Sequence, residues 1–287
     1  MSKTVVVTGA STGIGFATSV VLAKAGYDVF AGVRSEAAGE PLRMAAASTP
    51  GQITPISLDV TDAASVAAAA AQVKAALGGE PLFGLVNNAG IALGGPLLHQ
   101  PIDEIRQVFD VNVFGLLRAT QAFAPLLAAT STSPARSGRV INISSVGGKL
   151  GAPFIGAYAG SKHAVEGLSE SLRRELMVFG IDVIVIGPGA VVTPIWDKAE
   201  ATDIGYLAGT AYEGPAKRFN DYFIASGRQG LKPEQVGAVA LMALTADKPK
   251  TRYAVVKNAL VNWTLPRLLP KRAVDRTFAR NLGLTPR

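Results

Sequence analysis

The sequence contains no cysteine, which excludes disulfides, thiolate metal sites and cysteine nucleophiles. Two histidines, His99 and His163, are too few for a His-rich metal site, and no metal is expected. No stretch of 18 residues is uninterruptedly apolar, which argues against a spanning helix. The N-terminus runs straight into Lys3-Thr4-Val5-Val6-Val7-Thr8-Gly9, without a charged region followed by a longer apolar stretch. No signal peptide is read there, and a cytoplasmic location is the expectation. Charged residues make up only 17% of the 287 positions, against 48% hydrophobic ones. Such a chain can bury a sizeable core and is not globally disordered.

Charge is unevenly spread. Ten of the 28 Lys/Arg residues lie in 248–287, where Asp275 is the only acid. The net charge of +7 is therefore a property of the C-terminal tail. Apolar residues such as Leu260, Val261, Trp263, Leu265 and Phe278 are interleaved with those charges, so 259–287 reads as a basic amphipathic extension. It suits a helix packed on the domain with its charges in water, and also peripheral contact with an anionic membrane surface. No nucleic-acid-binding motif accompanies the charge, and no nucleic-acid partner is expected.

Short β-rich runs alternate with longer Ala/Leu-rich segments. Strands are expected at Thr4–Thr8, Tyr27–Val33, Gln52–Leu58, Phe83–Asn87, Arg139–Ile143, Asp182–Ile186 and Arg252–Val256. Helices are expected at Gly13–Ala25, at Asp62–Leu77 with Thr61 or Asp62 as cap, at Ile102–Phe109, Asn112–Ala128, Tyr158–Phe179 and Pro233–Leu244. Thr130–Gly138 reads as a surface loop. Continuous apolar strands such as Val183-Ile184-Val185-Ile186 suggest burial on both faces. The fold class is therefore α/β: a single-domain, Rossmann-type, doubly wound parallel sheet of about seven strands, with helices on both faces, over 1–258. Residues 190–230 break the rhythm and are read as an insertion covering the crevice where such sheets bind ligands.

Thr8-Gly9-Ala10-Ser11-Thr12-Gly13-Ile14-Gly15 joins the first strand to the first helix. Glycines let the backbone turn tightly and approach a pyrophosphate, and the helix amino end supplies N–H donors. Further on, Tyr158 and Lys162 stand one helical turn apart. An ammonium beside a phenol favours the phenolate, so the Tyr158 pKa is expected to fall and the side chain to shuttle protons near neutral pH.

Thr8–Gly15, Asn87-Asn88-Ala89-Gly90, Ser145, Tyr158, Lys162 and Pro188-Gly189, in this order, resemble the classical short-chain dehydrogenase/reductase family, over about residues 4–258. The tail is similar to extensions of its steroid and retinol dehydrogenases. The resemblance implies an oxidoreductase acting on CH–OH groups. Hydride would pass between the nicotinamide and a carbonyl or carbinol carbon. Tyr158 would be the general acid/base, and Lys162 would lower its pKa and bind the nicotinamide ribose. Ser145 would position the substrate oxygen, and Asn112 would complete a water-linked proton path to the lysine. Cofactor contacts would come from Gly9, Ser11, Thr12, Gly13, Ile14 and Gly15, from Asp59 and Val60 at the adenine, and from Asn88, Ala89 and Gly90. Pro188, Gly189, Val191 and Thr193 would serve the nicotinamide end. A homodimer or homotetramer through the two long helices is implied as well.

Val33 stands where NAD-using relatives carry Asp, and Arg34 follows it, ready to meet a 2′-phosphate. NADP(H) is favoured on that ground; Glu36 nearby keeps NAD(H) open. Leu93, Leu150, Phe154, Val191, Val192, Ile195 and Trp196 flank the motifs and lean toward a lipophilic small-molecule alcohol or carbonyl substrate. His163 points about 100° away from Lys162 around the helix and reads as a packing or surface residue. His99 reads as a solvent-facing loop residue. A catalytically silent dinucleotide-binding regulator would be expected to lose Tyr158, Lys162 or Ser145. An epimerase or dehydratase of the extended family would carry different glycine spacing and a larger C-terminal domain.

Overall fold

A computed structural model describes residues 3–128, 137–200 and 204–285. Seven strands form one sheet, β1 (Thr4–Val7), β2 (Asp28–Val33), β3 (Ile53–Ser57), β4 (Gly84–Asn87), β5 (Arg139–Ile143), β6 (Asp182–Pro188) and β7 (Arg252–Val255). Their order is β3-β2-β1-β4-β5-β6-β7, and every pairing is parallel. The order reverses between β1 and β4, which opens a crevice at the carboxyl ends of the strands.

The helices are α1 (Gly13–Lys24), α2 (Glu40–Ala46), α3 (Ala63–Leu77), α4 (Ile102–Phe109), α5 (Leu116–Leu127), α6 (Gly156–Glu175), α7 (Ile195–Glu200), α8 (Glu213–Arg228), α9 (Pro233–Thr245), α10 (Leu265–Leu268) and α11 (Lys271–Leu282). Strand side chains alternate between faces, and both faces are covered. Val5 and Val7 meet Leu22 of α1 and Val236, Ala240 and Leu244 of α9. Val6 meets the opposite layer, where Val66 and Val73 of α3 and Ala119 and Phe123 of α5 also pack. Burial on both sides is why these strands read as unbroken apolar runs.

Of the two caps expected for α3, Asp62 serves, its carboxylate accepting from Ala64 N–H at 2.9 Å. The expected helices 102–109 and 112–128 form one continuous run, because Asp110–Gly115 makes a wide π turn between α4 and α5. Gly115 there lies against Val60, where a Cβ would meet the valine methyl at 2.6 Å. Helix α2 was not foreseen; its seven residues are too few to show a period. Most of the expected loop at 130–138 lies outside the described residues.

Residues 190–230 contain α7 and α8, and the C-terminal tail folds onto them. Phe278, Leu282 and Leu284 pack with Phe154, Leu207, Ala216 and Phe219. Arg218 Nε donates to the Leu282 carbonyl at 2.9 Å. Much of the tail's apolar surface stays outside this contact, including exposed Leu260 and Leu268. Among the described residues no helix is long and apolar enough to cross a membrane.

A buried polar ladder ties the sheet's centre to α5 and α6. Asn87 Nδ2 donates to Thr120 Oγ1 and to Asn142 Oδ1, each at 2.9 Å, and Asn142 Nδ2 donates to Ser169 Oγ at 2.9 Å. Removing a member orphans buried partners. Asn142→Ala should lower the unfolding free energy by about 1–3 kcal/mol, read as an earlier urea midpoint.

Candidate active site

The glycine turn is latched to the end of β4. Thr8 Oγ1 accepts from both Asn88 N–H and Ala89 N–H at 3.0 Å, and Asn88 Nδ2 donates to the Thr8 and Gly9 carbonyls at 3.0 and 2.9 Å. Gly9 has φ +62, and a Cβ there would fall 2.7 Å from Ala89 Cα. Only glycine fits that contact and that backbone. At Gly13 a Cβ would approach the Thr193 methyl at 3.1 Å, so Thr193 flanks the turn. Ser11 and Thr12 lie in the turn. Helix α1 starts here without a side-chain cap and without an acid in its first turn, leaving its amino end open to an anion. Ile14, in the first turn of α1, is partly buried against the core, and Gly15 packs directly on Asn88 and the Gly9 carbonyl.

At the other end of the crevice, exposed Arg34 follows β2 and acts on Asp59 electrostatically. Asp59 accepts from Thr61 Oγ1 at 2.7 Å and Thr61 N–H at 2.9 Å. These bonds, with the Arg34 guanidinium, hold its carboxyl below the usual range despite partial burial. Val60, Pro188 and Val191 are buried, so a ligand would meet their backbone rather than their side chains. Gly189 N–H is engaged by the Val255 carbonyl at 3.0 Å.

Beyond the end of β5, Ser145, Tyr158, Lys162 and Asn112 converge. Lys162 is 5% exposed, and its Nζ donates to the Ile143 carbonyl at 2.9 Å. Asn112 lies in the π turn. Its Oδ1 accepts from Ile91 N–H at 2.8 Å, and its Nδ2 donates to the Ile91 carbonyl at 2.9 Å and to Ser161 Oγ at 3.0 Å. A Cβ on Gly90 would stand 3.2 Å from Asn112 Oδ1 and 3.6 Å from Lys162 Nζ, so the three residues share one small space. Ser145 caps the turn Val146–Gly148 by accepting from Gly147 N–H at 3.0 Å, and it hydrogen-bonds Tyr158.

The expected lowering of the Tyr158 pKa is overturned. Burial pushes the phenol above its ordinary value, with the Ser145 hydrogen bond acting against it. The Lys162 ammonium is 5.8 Å from the Tyr158 ring centroid and donates to the Ile143 carbonyl. Burial acts on the lysine too, bringing it down from 10.5 to about 8, with Glu166 opposing the shift.

Other expected residues separate from this centre. Phe154 is a core residue packed on Phe219 and Tyr212, whereas Trp196, packed on Phe223 and donating to the Val191 carbonyl at 2.7 Å, lines a cavity with Val192, Thr193 and Pro194. Val192 and Ile195 remain exposed on the same segment. His163 is exposed and bonds the Ala159 carbonyl at 2.8 Å; exposed His99 rests its ring edge-on against Tyr212. Sequence reasoning missed Glu166 and Arg252, which adjoin the site. Glu166 did carry a signal, since it follows Lys162 by one helical turn; Arg252, 107 residues from Ser145, carried none.

Residues 3–204 match the family described as short chain dehydrogenase. The NADPH-dependent 3-dehydrocapnine reductase of Ornithobacterium rhinotracheale is 37% identical over 277 residues, which cover 96% of this chain and 96% of that protein. Retinol dehydrogenase 5 of Mus musculus is 34% identical over 282 residues, 94% of this chain and 85% of that protein. A crystal structure of a short-chain dehydrogenase from Streptomyces avermitilis agrees in fold with a TM-score of 0.75 at 32% identity, covering 99% of this chain and 97% of that one. The chain belongs to the short-chain dehydrogenase family, and it is an oxidoreductase of that family.

The lowered lysine has a measurable consequence. Below about pH 8 both folded and unfolded chains hold the Lys162 proton, and the folded state bears the whole cost of burying it. Between about pH 8 and 10.5 the folded chain releases that proton first, so stability from this group rises with pH. Relative to Lys162→Met, the native protein should gain up to roughly 3 kcal/mol across that window in urea melts. A pH-independent difference would show the ammonium to be fully compensated.

Proposed function

We propose that the chain is an NADP(H)-dependent oxidoreductase that interconverts a lipophilic secondary alcohol with its ketone, or an alcohol with its aldehyde, with Tyr158 as general acid/base. The observation that carries this reading is the convergence of Ser145, Tyr158 and Lys162 at the carboxyl end of β5, on the crevice that the glycine turn also borders. The turn suits a dinucleotide: Gly9 and Gly13 both have positive φ, the backbone is bare, and the amino end of α1 faces the site. Arg34 supports the phosphorylated cofactor, since an exposed guanidinium at the end of β2 offers a fork to a 2′-phosphate. The similarity to an NADPH-dependent reductase points the same way.

When bound, the dinucleotide supplies or accepts the hydride. The chain's own residues do the rest. Ser145 holds the substrate oxygen and Tyr158 gives it a proton. Burial keeps the phenol protonated, the form a carbonyl reduction consumes. Lys162 would hold a ribose hydroxyl of the dinucleotide and stands ready to resupply the tyrosine. Asn112 has committed its amide to Ile91 and Ser161, so its part is to fix the floor of the site near Lys162. Exposed Val192 and Ile195 on the 190–230 segment offer an apolar cover for the substrate, and the similarity to a retinol dehydrogenase agrees with a lipophilic one.

A panel of steroids, retinoids and aliphatic ketones, followed by NADPH absorbance, tests the activity. Tyr158→Phe should abolish turnover while NADPH affinity stays within about twofold, because only the proton donor is lost. Full activity in that variant would refute the assignment. Arg34→Ala should weaken NADPH by about tenfold or more and leave NADH nearly unchanged in binding titrations, since a charged hydrogen bond contributes roughly 1.5–3 kcal/mol.

A further inference from the structure

Glu166 lies one turn beyond Lys162 on the buried side of α6, and only 5% of its side chain is exposed. A carboxylate that deep is costly unless cations and hydrogen bonds surround it. Arg252, the first residue of β7, sets its Nε 3.1 and 2.9 Å from the two carboxylate oxygens. Lys149, just past the turn that Ser145 caps, brings its Nζ within 3.4 Å of one of them. The guanidinium runs across Gly187 of β6, where any Cβ would collide with it. Beyond Glu166 it reaches the catalytic loop: Arg252 Nη2 donates to the Ser145 carbonyl at 3.3 Å. Trp263 of the C-terminal tail covers it, with the ring centroid 4.0 Å from Arg252 Cζ and 4.3 Å from Arg267 Cζ.

We propose that Arg252, anchored on Glu166 and roofed by Trp263, is a positioning residue that fixes Ser145 against Tyr158. This rests on the reading of Ser145 and Tyr158 as the groups that hold and protonate the substrate oxygen. The Ser145 hydroxyl must be placed to a fraction of an ångström to share charge developing on a substrate oxygen. Its loop leaves the sheet after Ser144, whose N–H still bonds the Ile186 carbonyl at 2.7 Å. Past that bond, the turn packs on α6 through Gly148, and Arg252 on the Ser145 carbonyl and Lys149 on Glu166 add polar ties to β7 and α6. Two nitrogens of the rigid guanidinium reach the two partners, Nε the carboxylate and Nη2 the carbonyl; a lysine places its donors on one nitrogen and lacks that span. Glu166 works on the second half of the site as well, favouring the charged form of Lys162. The tail is thereby a working part of the site, since Trp263 shields the guanidinium by cation–π contact and keeps it on its partners.

Turnover is measured with the panel carbonyl that the native protein reduces fastest, per molecule able to bind NADPH, so that misfolded protein drops out of the rate. Arg252→Lys keeps a cation beside Glu166 and loses the reach to Ser145. Its NADPH affinity should stay within about twofold and its kcat should fall about tenfold or more, the scale on which a misplaced reacting geometry costs rate. Trp263→Leu should lower kcat about threefold, a loss on the scale of an exposed cation–π contact; it carries the test alone if Arg252→Lys does not fold. A residue with a merely structural role would lower Tm and the number of binding molecules and leave kcat per binding molecule untouched; that result overturns the proposal. Tyr158→Phe is run alongside. If it stays active, or if the native protein reduces nothing, the reading of the reacting pair fails and this inference falls with it. If Tyr158→Phe is dead while Arg252→Lys is fully active, only the positioning role fails.

Discussion

A charged amine buried at the carboxyl end of β5 is the constraint around which this site is built. An ammonium removed from water needs fixed oxygen and compensating charge. Ile143 supplies the oxygen because β5 ends there and its carbonyl is free of the ladder on that side. Glu166 supplies the charge from the next turn of α6. The space comes from Gly90, since any side chain there would press on both Lys162 and Asn112. Asn112 in turn grips Ile91 through two hydrogen bonds and so fixes the chain that carries Gly90. The lysine's place thus depends on β4, β5, the π turn and α6 together, and none of these elements can shift alone.

The same short stretch after β4 connects the two ends of the site. Asn88 and Ala89 are bound to Thr8 in the glycine turn, and Gly90 and Ile91 abut Asn112 and Lys162. Four consecutive residues therefore set the distance between the amino end of α1 and Tyr158 and Lys162 on α6. This arrangement is available only at the point where strand order reverses, with β1 and β4 adjacent and their following chains leaving in opposite directions. Parallel pairing brings all these ends to one edge, so motifs distributed over 180 residues of sequence become neighbours.

Much of this was legible in the sequence, for identifiable reasons. The seven strands stood out because apolar runs such as Val5-Val6-Val7 and Val183–Ile186 are buried on both faces, and their expected ends differ from the observed ones by two residues at most. The glycine turn and the Tyr158–Lys162 pair were visible because each answers a local demand of backbone or chemistry, while Asn88 and Ser145 came through the resemblance to the family. What was not legible depends on tertiary contact. The π turn at Asp110–Gly115 follows from packing against Val60, not from propensity. Phe154 looked like a pocket residue because hydrophobicity does not tell core from cavity wall. The tyrosine's acidity was misjudged because i, i+4 spacing places a lysine nearby without showing how deeply the phenol is buried. The tail's charge count likewise concealed a division of labour, with Arg252 and Arg267 drawn onto Trp263.

Burial moves both titratable groups toward neutrality, and the directions have a joint consequence. The phenol rises and so keeps its proton more firmly, while the ammonium falls to about 8 and holds its own less firmly. At neutral pH both are protonated, which is the resting state needed for delivering a proton to a reduced carbonyl. Once Tyr158 has given its proton away, the neighbouring donor whose pKa lies closest to the medium is Lys162. A donor near neutrality re-equilibrates with water more readily than one near its ordinary 10.5. Under the proposed reaction, the desolvation that destabilises the lysine also makes it the better reservoir. Glu166 limits how far that goes: with its charge in place the lysine keeps enough proton affinity to stay loaded, and Arg252 and Lys149 keep Glu166 itself from drawing the ammonium away from the Ile143 carbonyl.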